Sequence, residues 1–107
     1  MNPVERRRVL LDMLADSPDD VELRYALAME DVSGGDLEAA LSRFRQITSL
    51  GAERSYVPAF LIAAQSLQKL GRATEAMAFL RDGIVAAQKQ NNQHALGEMQ
   101  GMLDILE

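Results

Sequence analysis

The chain has no cysteine and no tryptophan, and aromatic residues make up only 5% of it. Without a thiol there is no disulfide framework, no cysteine-held zinc and no thiol nucleophile. With so few rings, the core has to be built mostly from aliphatic side chains. Proline and glycine are sparse too, at three and seven residues in 107, which favours a few long elements over many short strands. No apolar run approaches the roughly 18 residues needed to cross a bilayer. The opening Met1-Asn2-Pro3-Val4-Glu5-Arg6-Arg7-Arg8 is basic, but it lacks the apolar stretch and small-residue cleavage site of a secretion signal. These absences predict a cytoplasmic chain with no membrane partner.

Hydrophobic residues at 48% and charged residues at 25% are ordinary for a folded domain, and 107 residues are enough for one. Eleven Lys and Arg stand against sixteen Asp and Glu, a net charge of −5. That balance repels phosphate backbones, so nucleic acid is not an expected partner.

The periodicity is helical throughout. Asn2 is a good N-cap, Pro3 suits the first helical position, and Val9, Leu10, Met13 and Leu14 share one face of a helix over about 3–15. Ser17-Pro18-Asp19-Asp20 opens a second helix that carries Leu23, Ala26, Leu27 and Ala28 and runs out at Ser33-Gly34-Gly35. Asp36 caps a third with Leu37, Ala40, Leu41, Phe44 and Ile47, which stops near Leu50-Gly51. Ser55-Tyr56-Val57-Pro58 opens a fourth with Phe60, Ala63, Ala64 and Leu67, ending at Leu70-Gly71. A fifth, over about 72–89, buries Ala76, Leu80, Ile84 and Ala87, and Asn91-Asn92 precedes a last helix with Leu96, Met99, Leu103 and Leu106. Six helices are expected and no strand pair.

The chain also repeats itself. Leu27-Ala28 is followed by Gly35, Ala40 and Phe44, and Ala63-Ala64 by Gly71, Ala76 and Leu80, an offset of 36 residues. Leu10, Met13 and Pro18 lie 34 residues before Phe44, Ile47 and Ala52. Helix pairs of this length, with a small residue in the first helix, Gly at the turn and Ala in the second, resemble tetratricopeptide repeats. Ala28 and Ala64 match the small slot, Gly35-Asp36-Leu37-Glu38-Ala39-Ala40 and Gly71-Arg72-Ala73-Thr74-Glu75-Ala76 the turn and second-helix start, Phe44 and Leu80 the bulky slot, and Pro18 the inter-repeat proline. The match departs at Arg24, where the family has an early aromatic (kept as Phe60 in the next repeat), and at Asp31 and Leu67, where it has a mid-helix tyrosine. Two residues are inserted around Ser55-Tyr56.

The resemblance implies an all-α solenoid of antiparallel helix hairpins wound into a right-handed superhelix. Its parts would be a half repeat (3–17), repeats 18–52 and 55–90, and a terminal capping helix (92–106). Lone hairpins cannot bury their apolar face, so neighbours stack and leave a concave side that suits partner peptides or helices. In this family the first helix of each pair lines that groove. The corresponding residues are Glu22, Tyr25, Met29 and Ser33 in the first full repeat and Leu61, Gln65, Gln68 and Lys69 in the second. Some members grip a C-terminal carboxylate with Lys and Asn there. Tyr25 and Met29 occupy the first-repeat positions that would supply them, so that specificity is not carried over.

Nothing in the sequence points to catalysis, a metal or a cofactor. His94 is the only histidine, it has no nucleophile or carboxylate motif nearby, and it reads as a surface residue in a first turn. Glu30 and Asp31 point about 100° apart on a helix and read as a solvated face. Asp16, Asp19 and Asp20 lack the glycine and late glutamate of a calcium loop, and Gly34-Gly35 has neither the strand nor the Gly-Lys-Ser/Thr of a phosphate loop. Arg6-Arg7-Arg8 reads as an outer basic face, and Met13, Met77 and Met99 as core filler. Gly97 and Gly101, four apart in the last helix, leave two readings open: a smooth stripe that admits another backbone, from this fold or a second subunit, or a marginal cap. The expected function is a non-enzymatic protein-interaction scaffold. The alternative is a homodimer formed through the terminal helices, because solenoid ends expose apolar edges unless polar caps cover them.

Overall fold

The computed structural model describes all 107 residues. It contains six α-helices and no strands: α1 Pro3–Asp16, α2 Val21–Ser33, α3 Leu37–Thr48, α4 Pro58–Lys69, α5 Ala73–Lys89 and α6 Gln93–Leu106. Side-chain oxygens satisfy the free N–H groups at four of the six starts. Asn2 accepts from the Glu5 N–H, Asp20 from Glu22 and Leu23, Asp36 from Ala39 and Asn92 from Ala95. The start of α2 is thus later than the sequence suggests, because Asp20 rather than Ser17 makes the capping bonds. Ser55 does not cap α4. Its buried hydroxyl donates back to the Gly51 carbonyl at 2.6 Å and lies 3.3 Å from the carbonyl oxygens of Ile47 and Thr48 at the end of α3.

Three turns share one geometry. Gly35, Gly71 and Asn91 adopt φ of 81°, 75° and 56°, the left-handed conformation that ends a helix tightly. In each turn the next residue's N–H returns to a carbonyl five residues earlier: Asp36 to Asp31, Arg72 to Leu67 and Asn92 to Ala87, at 2.8–2.9 Å. Such closures force α2–α3, α4–α5 and α5–α6 into side-by-side antiparallel hairpins.

Alanine sets how closely the helices of a pair lie. Ala28 and Ala40, and Ala64 and Ala76, are completely buried, which lets the paired backbones approach at the short end of the usual 8–10 Å. A contiguous core of 17 buried residues, with Phe44, Phe60, Leu67, Leu80 and Met99 among them, runs from α2 to α6. Leu27, Ala63 and Met99, each 36 residues apart, are all fully buried, so α2, α4 and α6 keep one register of burial. The molecule measures 40 × 29 × 20 Å, and the shortest dimension matches two layers of helices about 10 Å thick.

Two expectations about side chains need correction. On α1, Val9 and Met13 are 42% and 48% exposed; the covered strip is Arg7, Leu10 and Leu14, none of them fully buried. This helix has a neighbour on one side only, so half of its apolar periodicity has nothing to pack against, and Met13 is not core filler. On α5, Ile84 is only half-buried, while Phe79, Gly83 and Ala86 join Ala76, Leu80 and Ala87 in the interior.

The glycines of α5 and α6 divide sharply. A methyl group at Gly83 would lie 2.5 Å from the Met99 sulfur and 2.6 Å from Phe60 Cβ. At Gly97 and Gly101 nothing lies within 4 Å, so no other backbone of the fold uses that stripe. Overpacking costs about 1–3 kcal/mol and the helix gains roughly 1 kcal/mol from Gly→Ala. Gly83→Ala should therefore destabilise by about 1–2 kcal/mol in urea unfolding, whereas Gly101→Ala should stabilise by up to about 1 kcal/mol.

Candidate functional site: the face of α2, α4 and α6

The common register of α2, α4 and α6 places the groove candidates in rows. Tyr25, Leu61 and Gly97 are 36 residues apart, as are Met29, Gln65 and Gly101, and Ser33, Lys69 and Ile105. On a helix, 25, 29 and 33 follow one another a turn at a time, and so do the matching triplets. Tyr25, Met29 and Leu61 are half-buried against the core, while Glu22, Ser33, Gln65, Gln68 and Lys69 are exposed. The α2 end is thus apolar, the α4 strip is mostly amide and lysine, and the α6 end is bare backbone beside Ile105, which is 82% exposed.

Tyr25 is the best-anchored member of the set. Its ring lies 4.8 Å from that of Tyr56 and 6.3 Å from Phe44, both tilted, an arrangement that aromatic quadrupoles favour. Burial, and then the nearby Tyr56, push its hydroxyl above the ordinary tyrosine value, so it remains a neutral donor at any physiological pH. Tyr56 belongs with the site although the repeat pattern marks it only as an insertion. Together, Ser55 closing the end of α3 and Tyr56 packing on Tyr25 give that insertion its structural role.

The opposite face, built by α3 and α5, has its charges internally paired. Arg72 donates to Glu75 at 2.7 Å and to Glu38 at 2.5 Å, and Arg45 donates to Glu75 at 3.2 Å while its guanidinium lies 5.3 Å from the Phe79 ring centre. Arg43 pairs with Asp31, Arg81 with Glu107 and Lys89 with Glu53. Among the charged residues of α3 and α5, Asp82 is the exception. The ion pairs of α3 and α5 contrast with Glu22 and Lys69 on the α2/α4 face, which have none.

Glu30 and Asp31 do not form the solvated face expected for them. Arg6 pairs with Glu30 through Nε and, at 3.2 Å, through Nη2. Arg7 donates to Asp31 at 2.6 Å and Arg43 at 2.9 Å, and the Asp31 side chain is only 4% exposed. So Arg6 and Arg7 are not an outer basic face either. Burying a lone carboxylate is costly, and two arginines on different helices compensate it here. Arg24 donates to the Pro18 carbonyl at 2.5 and 3.0 Å and to Gln46 at 3.3 Å. It borders a cavity of about 320 Å³ between α2, α3 and the α3–α4 connection, away from the rows described above. His94 is exposed and lies 3.0 Å from Glu98. No three His, Cys, Asp or Glu side chains converge as metal ligands would, and no helix is long and apolar enough to cross a membrane.

Compared with known proteins, the chain matches no family model, and no curated protein or solved structure at a significant level.

Two measurements probe this charge arrangement. Charge-assisted hydrogen bonds contribute about 1.5–3 kcal/mol when well buried, and partial exposure of Arg7 and Arg43 reduces that figure. Asp31→Asn should lower the unfolding free energy by about 2 kcal/mol. The Arg72 hydrogen bond, reinforced by the charges of Arg72 and Arg45, holds the Glu75 carboxyl below its ordinary value of 4.5. A depressed carboxylate stabilises the folded state above its unfolded value, and that contribution disappears as pH falls through the folded one. Between about pH 5 and about pH 3, wild-type stability should fall more steeply than that of Glu75→Gln.

Proposed function

We propose that the chain is a non-enzymatic protein-interaction module of tetratricopeptide-repeat type, in which the α2/α4/α6 face takes a peptide or helix of a partner protein. The observation that carries this reading is the contrast between its two faces. Charges on the α3/α5 side, Asp82 apart, are consumed by internal pairs, whereas Gln65, Gln68 and Lys69 lie exposed beside half-buried Tyr25, Met29 and Leu61. Aromatic and aliphatic anchors surrounded by uncommitted polar groups are the composition of recognition surfaces. A cytoplasmic setting is part of the same proposal.

The test is partner capture by the immobilised chain. Tyr25→Ala with Leu61→Ala should weaken retention of the captured protein about thirtyfold or more, as loss of an interface anchor does. Gln65→Glu with Lys69→Glu, both exposed, should also weaken it without altering the helical melt. Equal retention by wild type and both variants would overturn the reading.

A second reading, a homodimer through the terminal helices, draws on exposed apolar groups at both ends: Val9 and Met13 on α1, and Ile105 beside the open Gly97 and Gly101 on α6. Light scattering over a dilution series separates the two, since a monomer at every concentration removes the dimer.

A further inference from the structure

The seam between α1 and α2 is built differently from the other seams of the molecule. α1 has no fully buried residue. Leu10 and Leu14 are half-covered, and Arg6 and Arg7 bind Glu30 and Asp31 of α2. On α2, Leu23, Leu27, Glu30 and Asp31 share that face, at helical spacings of four, seven and eight residues from Leu23. Leu27 is fully buried, yet it stands outside the contiguous core that runs from α2 to α6. Its surroundings are therefore separate from that core, on the helix that Arg6 and Arg7 of α1 bind.

Removing α1 would leave the buried acid of this edge compensated. Arg43 of α3 holds Asp31 at 2.9 Å independently of Arg7, so the carboxylate would keep a partner. Glu30 would simply meet water. Ser17-Pro18-Asp19-Asp20, which joins the two helices, is exposed along its whole length. The edge then presents two carboxylates one turn beyond two leucines.

We infer that this edge of α2 is a docking site for a basic amphipathic helix, and that α1 is its intramolecular occupant. The partner it fits is a helix of another protein with the α1 pattern: two adjacent arginines, then leucines four and eight residues after the first of them. Docking requires α1 to leave while α2 to α6 stay folded. This site lies on a different side of α2 from Tyr25 and Met29, so it stands or falls separately from the groove.

The experiment uses the full chain and, as probe, a labelled synthetic peptide of residues 2–17. In a chain carrying Arg6→Glu and Arg7→Glu, the reversed charges drive its own α1 off Glu30 and Asp31. That chain should take up the peptide at least about tenfold more tightly than wild type, in which the tethered α1 competes at high effective concentration. Uptake should weaken from about 0.05 M to about 0.5 M salt, as screening shortens the reach of the charges. A peptide with the same two glutamates should not bind.

In the wild-type chain, amide hydrogen exchange over 6–16 should accelerate with salt while α4 and α5 remain protected. Failure of the reversed-charge chain to bind the peptide while its α4 and α5 amides stay protected would overturn the proposal. So would α1 amides in wild type that are as protected as those of α5 at both salt concentrations. If the reversed-charge chain does not fold, this wild-type exchange measurement decides alone.

Discussion

Close approach of paired helices at alanine is the constraint on which the rest of this fold depends. With only methyl groups at Ala28, Ala40, Ala64 and Ala76, paired backbones lie close and the chain has little length in which to reverse. A left-handed residue at the turn of each of these two pairs follows from that, as glycine at 35 and 71. The fixed spacing carries every other side chain with it. Because Leu27, Ala63 and Met99 are all fully buried, the residues two before and two after each one fall together on the far side of its helix. At position 100, the next step of the Ala28–Ala64 series, an exposed glutamine stands in place of alanine, so α6 offers water an amide where its predecessors offer a helix a methyl group.

That register also divides the surface into two chemistries. Ion pairs on the α3/α5 side link successive repeats: Glu38 and Arg45 of one to Arg72 and Glu75 of the next. Each exposed pair contributes little alone, but the four charges form one network and leave few groups on that side for an outside partner. On the other side there is no such network. Its polar groups spend their hydrogen bonds on water, which a partner can displace at small cost.

The helices, their order and three of their turns were legible because they rest on local chemistry: caps, proline at first turns, and residues that tolerate positive φ. The core of α3 and α4 was legible for a related reason. Both helices have neighbours on two sides, so apolar periodicity and burial coincide at Ala40, Leu41, Phe44 and Ile47, and at Phe60, Ala63, Ala64 and Leu67. Where a helix lacks a neighbour, the two separate, as Val9 and Met13 demonstrate. The pairing of Glu30 and Asp31 was hidden for a different reason. Adjacent acids on a helix reveal their directions but not what stands opposite, and Arg6, Arg7 and Arg43 arrive from 12 to 24 residues away. Tyr56 was hidden inside an apparent insertion, and Gly83 among ordinary helical positions, although Phe60 and Met99 both converge on it. The candidate groove was legible only through the family resemblance, since no local pattern marks Gln65 or Lys69 as different from any other exposed residue.

Asp31 and Leu67 occupy the same repeat position, 36 residues apart, and the difference between them changes how the molecule holds together. Leu67 belongs to the continuous apolar core, where adhesion is non-directional and indifferent to salt. An acid in that slot cannot be buried bare, so it requires cations from its surroundings. Arg43, from within the same hairpin, already supplies one. The second, Arg7, comes from α1 and is therefore an addition to a carboxylate that is tolerable without it. Apolar seams lose free energy in proportion to the area they uncover, whereas an ionic seam returns its charged groups to water, which solvates them well. At this one position, then, the first joint of the stack relies on charged partners, where the corresponding later joint relies on apolar contact.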